Sequence, residues 1–128
     1  MKAAARQGPV QLMVAPGPLA ASALPRLAGM AASRADLPID RVEDAIAVAE
    51  LIADNAAAEI TGDRIEVMLD IWPGSVMMHV GPLEPGGAQR LAACSDRSGA
   101  RGPISSLASV RRSAAAAGFE RLEIEVIG

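Results

Sequence analysis

The segment RIEVMLDIWPGSVMMHVG (64–81) alternates apolar and polar residues on both sides of a Pro-Gly pair. Successive side chains of a strand point to opposite faces. Ile65, Val67, Leu69 and Ile71 therefore share one face, and Glu66, Met68, Asp70 and Trp72 share the other. Val76, Met78 and Val80 resume the apolar set after the turn. Pro73 supplies the fixed φ wanted at the second position of a β-turn, and Gly74 accepts the positive φ of the third. A two-residue loop puts Ile71 opposite Val76, Leu69 opposite Met78 and Val67 opposite Val80. The apolar faces coincide in that register, so the segment predicts a hairpin with one buried face. A slightly longer loop is the alternative, because an L-Pro-Gly turn matches strand twist less well than the primed types.

The flanking sequence supplies the rest of a sheet and its cover. RLEIEVI (121–127) is a second alternating strand with Leu122, Ile124 and Val126 inward, and Gln11–Val14 is a short strand ended by APGP (15–18). Leu19 to about Ala35 has an apolar stripe at helical spacing; Pro25 requires a kink or a helix start there. In DLPIDRVED, Asp40 is placed to cap a helix with Glu43 three residues on, a variant of the capping box. That helix is expected from Arg41 to about Ile60, with Val42, Ile46, Ala49, Ile52, Ala53, Ala56 and Ile60 toward the sheet. Residues 81–103 are rich in Gly, Pro and Ser, with a short helix expected near 88–93. Ile104 to Ala117 reads as a helix stopped by Gly118.

The sum is an α/β fold: a two-layer sandwich with a mixed, mostly antiparallel sheet and about three helices on one face. Residues 1–9 are expected to be a flexible lead and 10–128 a single domain. The other sheet face would carry Met13, Met68, Trp72, Met77, His79 and Ile127 among Glu66, Asp70, Glu123 and Glu125. That is too apolar for a plainly solvated surface, so a partner or a homodimer contact is expected on it.

Composition sets bounds. A chain of 128 residues buries roughly two-thirds of its unfolded surface, enough for a real core. Trp72 and Phe119 are the only aromatic residues, so that core is built from Leu, Ile, Val, Met and Ala. The net charge of −3 gives no footprint for nucleic acid. The abundance of Ala and Arg is actinobacterial-like, a mark of GC-rich coding rather than of mechanism. Cys94 is the single cysteine, which excludes an internal disulfide and a zinc cluster. Pro9, Pro16, Gly17 and Pro18 break the early apolar run, so neither a signal peptide nor a membrane segment is expected. A cytoplasmic location is the simplest expectation. Cys94 has no positive neighbour in sequence nearer than Arg90 and Arg97, and no pattern places a nucleophile beside His79, so neither reads as catalytic. Arg111 and Arg112 read as a solvated helix end.

The order strand, helix, helix, hairpin, glycine-rich segment, helix, strand resembles the anti-sigma-factor serine/threonine kinases of the GHKL (Bergerat-fold) ATPase superfamily. The likeness covers about residues 10–127. It rests on DRVEDAIAVAELIADNA (40–56), on the hairpin ending in HVGPL (79–83) and on SGARGPISSLASVRRSAA (98–115). The resemblance implies a catalytic Glu and a magnesium-binding Asn four residues apart on one helix face. Glu50 matches the Glu, but the next place is Asp54, with Asn55 one step on. It implies an adenine-binding Asp with glycines two and four residues later, where this chain has His79, Gly81 and Leu83. It implies a glycine-rich phosphate cradle, for which Gly99 and Gly102 are the candidates. Pro103 removes one N–H donor from that cradle.

With these motifs eroded, the expectation is a degenerate pseudokinase. It would regulate transcription by binding a sigma factor or an anti-sigma antagonist, with no cofactor. The alternatives are an active ATP-dependent kinase, with Glu50 as base and Asp54 or Asn55 on Mg, and a non-catalytic dimerising α/β domain.

Overall fold

The computed structural model describes residues 6–95 and 102–128. Five strands form one sheet: β1 (Gln7–Val14), β2 (Ile65–Trp72), β3 (Ser75–Leu83), β4 (Ser109–Ala114) and β5 (Glu120–Ile127), in the order β1-β2-β3-β5-β4. Every neighbouring pair is antiparallel, so the sheet is not mixed. Among the described residues, four α-helices complete the fold: α1 (Pro18–Arg34), α2 (Ile39–Asn55), α3 (Gly87–Ala93) and the single turn α4 (Ile104–Leu107).

The hairpin has the register its sequence dictates. Ile71 pairs with Val76, Leu69 with Met78 and Val67 with Val80, and Trp72 meets Ser75 across the two-residue turn. Gly74 sits at φ 86°, where a Cβ is unwelcome. The inward set of β2, β3 and β5 is buried, and it forms one core with Val48, Leu51 and Ile52 of α2 and Leu24 and Ala28 of α1. The two long helices approach closely because their contact residues are small: Ala28, Ala31, Ala45 and Ala49 are all buried. At Gly29 an added Cβ would sit 3.2 Å from Ile46 Cδ1.

Several local expectations fail for identifiable reasons. β1 starts at Gln7, so residues 7–9 belong to the sheet and not to a lead; residues 1–5 lie outside the described residues. α1 runs through Pro25 without restarting. α2 begins at Ile39 after Pro38, and Asp40 lies inside the first turn, so no side-chain cap and no capping box forms. Pro38 preorganises this start through its fixed φ. α2 ends at Asn55, followed by a 3₁₀ turn at Ala56–Ala58.

The largest correction is at 104–117. This segment is one helical turn and then a strand, not a continuous helix. β5 would otherwise leave a full edge of unpaired backbone groups, and β4 pairs along it from Ser109↔Glu125 to Ala114↔Glu120. Arg111 lies directly opposite Glu123, a favourable cross-strand charge pair. Pairing across the ladder overrides the helix propensity of the alanines.

Candidate functional site

The residues singled out in the sequence fall into separate places. Glu50 lines a cleft of about 570 Å³ with Glu43, Asp44, Ile46, Ala47 and Leu107, on the side of α2 that faces α4. Asp54 is exposed one turn further along α2 and does not line that cleft. Asn55 closes the end of the helix, with Nδ2 donating to Leu51 O at 2.9 Å.

His79 and Gly81 lie on the opposite side of the sheet. The pleat sends Val80 into the core and its neighbours away from the helices. Gly81 forms part of a groove of about 330 Å³ on this open face. Gly102 precedes α4 at φ 74°, and an added Cβ there would approach Ser106 Oγ at 2.7 Å. Its glycine is therefore required by the turn itself. α4 is a single turn, too short to present the row of aligned N–H groups of a phosphate cradle. Gly99 lies outside the described residues.

The structure thus does not bring Glu50 and Asp54 together with His79 and Gly81, because the sheet and its core stand between them. These residues do not fit a nucleotide with magnesium. Among the described residues, no three His, Cys, Asp or Glu side chains converge as a metal cage needs.

What the open face does hold is a ladder of charges that runs from the residue before β1 across the other four strands. Arg6, just before β1, donates through Nε to Asp70 Oδ1 at 2.7 Å. Asp70 Oδ2 lies 3.3 Å from His79 Nε2, and His79 Nδ1 lies 3.3 Å from Glu123 Oε2. The Nδ1 contact has an ion-pair distance without hydrogen-bond geometry, and Nδ1 has no hydrogen-bond partner among the described residues. Arg111 of β4 completes the row, donating through Nε to Glu123 Oε1 at 2.8 Å and through Nη2 to the same oxygen. Burial pushes the Glu123 carboxyl up, but Arg111 and then His79 outweigh it and leave its pKa below the ordinary glutamate range. Met68, Met77 and the partly exposed Trp72 surround the ladder.

A second cluster lies at the start of α3. Glu120 accepts from the N–H groups of Gly86 and Ala88, and these bonds, with Arg112 nearby, hold its carboxyl below the usual range against the opposing effect of desolvation. Glu59 is buried and pairs with Arg90, Nε to Oε1 at 2.8 Å. Burial, and then the Glu59 charge, push the Cys94 thiol up, which favours its protonated form.

Sequence reading placed Asp70, His79 and Glu123 on one face through alternation. It missed Arg6, Arg111 and Arg121 as members of that face. The signal for Arg111 was its spacing of two from Ser109 and Ser113, which a helical reading hides. No protein-family model matches the chain, and no curated protein matches it. Among the described residues, no helix is long and apolar enough to cross a membrane.

Proposed function

We propose that this chain is an anti-sigma-factor-like regulator of transcription, a degenerate kinase-like domain that acts in the cytoplasm by protein contact and without phosphoryl transfer. Its partner is a sigma factor or an anti-sigma antagonist. One observation carries the reading: the acidic residues of α2 and the His79–Gly81 strand end occupy opposite sides of the sheet. A chain with a strand, two helices and a hairpin in the order of the kinases, but with divided site residues, is read as a scaffold without a means of positioning phosphate, on which phosphoryl transfer depends.

The outer side of α2 is the contact surface in this reading. The exposed Glu43 and Asp54 give it negative charge, which favours a partner surface rich in Arg and Lys and speeds encounter. Two measurements test the proposal. Melting with and without millimolar Mg-ATP or Mg-ADP is expected to show no shift. A native-state site filled at about 100 times its dissociation constant would add about 2.7 kcal/mol, and such a rise would favour the active kinase instead. Binding to sigma factors and antagonists, followed by interferometry, is expected to weaken in Glu43→Lys and Asp54→Lys. Binding indifferent to both changes would remove α2 from the interface, and no binding to either class would end the proposal.

A further inference from the structure

The sheet ends on two strands whose outer edges differ. β1 carries Pro9, which has no N–H, and its pairing shifts between Gln7 and Val10. Both features blunt an edge against further pairing. β4, at the other end, has neither: its ladder runs unbroken from Ser109↔Glu125 to Ala114↔Glu120. One bond fixes where its free backbone groups point. Ala115 N donates to Phe119 O at 2.9 Å, in register with that ladder. Antiparallel strands alternate between pairs that exchange hydrogen bonds and pairs that do not. Ser109, Arg111 and Ser113 therefore turn their N–H and C=O toward β5, and Val110, Arg112 and Ala114 turn theirs outward. Among the described residues, no hydrogen bond from outside the ladder reaches these outward groups.

The same residues have their side chains on the helix side of the sheet, since Val110 lies opposite the buried Ile124 and Arg112 opposite the buried Leu122. A cavity of about 390 Å³ borders the edge on that side, between α3, α4 and the sheet. Ala92, Ala93, Val110 and Leu122 give it an apolar lining, and Ser105 and Arg112 stand at it with polar groups. The Arg112 side chain is 69% exposed and meets Glu120 only at 3.5 Å. Arg111, opposite Glu123, is as exposed on the other face.

We propose that the free edge of β4 binds an extended segment of a partner protein as an added antiparallel strand, with acidic residues opposite Arg112 and Arg111 and an apolar residue opposite Val110. Read from its N-terminus, such a segment has two acids and then the apolar residue. Main-chain bonds to Val110, Arg112 and Ala114 give affinity, and the alternating side chains select the partner. The apolar residue enters the cavity, and the acids meet one guanidinium on each face of the sheet. Charge chooses this occupant over a second copy of the chain. Two β4 strands paired antiparallel along their full length set the two Arg112 side chains directly opposite each other, and like charges so placed are destabilising. The inference stands on the β4–β5 ladder and does not depend on α2 being a contact surface.

Fluorescence anisotropy of the full chain with a labelled peptide, Glu-Glu-Leu flanked by threonines, tests it. Binding that weakens with added salt is expected. Arg112→Glu is expected to raise the dissociation constant about tenfold or more, and a peptide with Lys in the first acidic place is expected to restore binding to that variant. Arg112→Gln, which sets no like charge beside Glu120, is expected to weaken binding with an unaltered circular dichroism melt. Amide exchange supplies a second readout. The N–H groups of Val110, Arg112 and Ala114 are expected to slow on addition of peptide, whereas those of Arg111 and Ser113, already donated to β5, change little. A chain that ignores the peptide at millimolar concentration would overturn the inference, as would a complex in which those three amides exchange as fast as before. So would binding indifferent to both Arg112 changes. Slowing of the three amides with protein concentration alone, without peptide, would assign the edge to a second copy instead.

Discussion

His79 stands directly opposite Glu123 across the β3–β5 ladder, with Nδ1 3.3 Å from Oε2, and Glu123 in turn is held by Arg111 on the outermost strand. One carboxylate thus ties three strands together on a face that none of the described helices covers.

The Glu123 carboxyl has a pKa below its ordinary value of 4.5 in the folded protein. A depressed folded value means that the stability it contributes is complete above about 4.5 and is lost as pH falls through the lowered value. Urea midpoints measured from pH 7 to pH 3 are therefore expected to drop in this window. In Glu123→Gln the protein starts less stable at pH 7, and its difference from wild type narrows as the pH passes below 4.5. A difference that stays constant down to pH 3 would contradict the pairing.

Gly74 occupies φ 86° in a turn with open space around its Cα. Gly74→Ala is therefore expected to cost about 1 kcal/mol from backbone conformation alone, with no steric component. Gly74→Asn is expected to cost less, because Asn enters this region more readily. Equal losses in denaturant titrations would show that something other than φ sets the preference.

The hairpin was legible because two independent signals agreed, strict alternation and a Pro-Gly pair that fixes the register. β5 was legible from its alternation alone. β4 was not. Leu107 and Val110 satisfy a helical spacing, and Ser109, Arg111 and Ser113 satisfy a strand spacing. Which period wins depends on the free edge of β5, a partner remote from the local sequence. The candidate site residues are divided for a related reason. Glu50 matches a place in a motif and His79 stands where that motif family has an Asp, but only the pleat of β3 decides which side of the sheet His79 faces. The capping box at Asp40 failed because Pro38 already fixes the helix start.

Ile52 is 1% exposed at the centre of the helix–sheet interface, whereas Ile46 on the same helix is only half-buried and lines the outer cleft. Ile52→Ala removes side-chain volume where neighbours on α1 and the sheet cannot collapse, so a loss of about 2–5 kcal/mol is expected. Ile46→Ala is expected to cost clearly less, since part of its surface already meets water. Guanidinium titrations that ranked the two in reverse would contradict the direction in which α2 faces.

Arg41 joins three elements at the edge of the fold. Its Nε donates to Ile127 O at 2.8 Å, and its Nη1 donates to Leu107 O at 3.1 Å and to Asp44 Oδ2 at 2.6 Å. The two carbonyls belong to the end of β5 and the end of α4, so the guanidinium links the first turn of α2 to both. Charged donors to such groups contribute about 1.5–3 kcal/mol each when shielded, and this side chain is 27% exposed, which places Arg41→Ala near the low end of that range. The pair with Asp44 is an i,i+3 contact at the surface, where ion pairs contribute about 0.5 kcal/mol or less. Asp44→Ala is therefore expected to cost little. The double variant is expected to match Arg41→Ala alone, because the carbonyl bonds carry the effect. Arg41→Lys should recover only part of the loss, since one ammonium cannot reach all the positions that the planar fork serves. Amide exchange at Ala108 and Gly128 should speed up in Arg41→Ala, and unchanged protection at both would show that α4 and the end of β5 are held by packing and not by this residue.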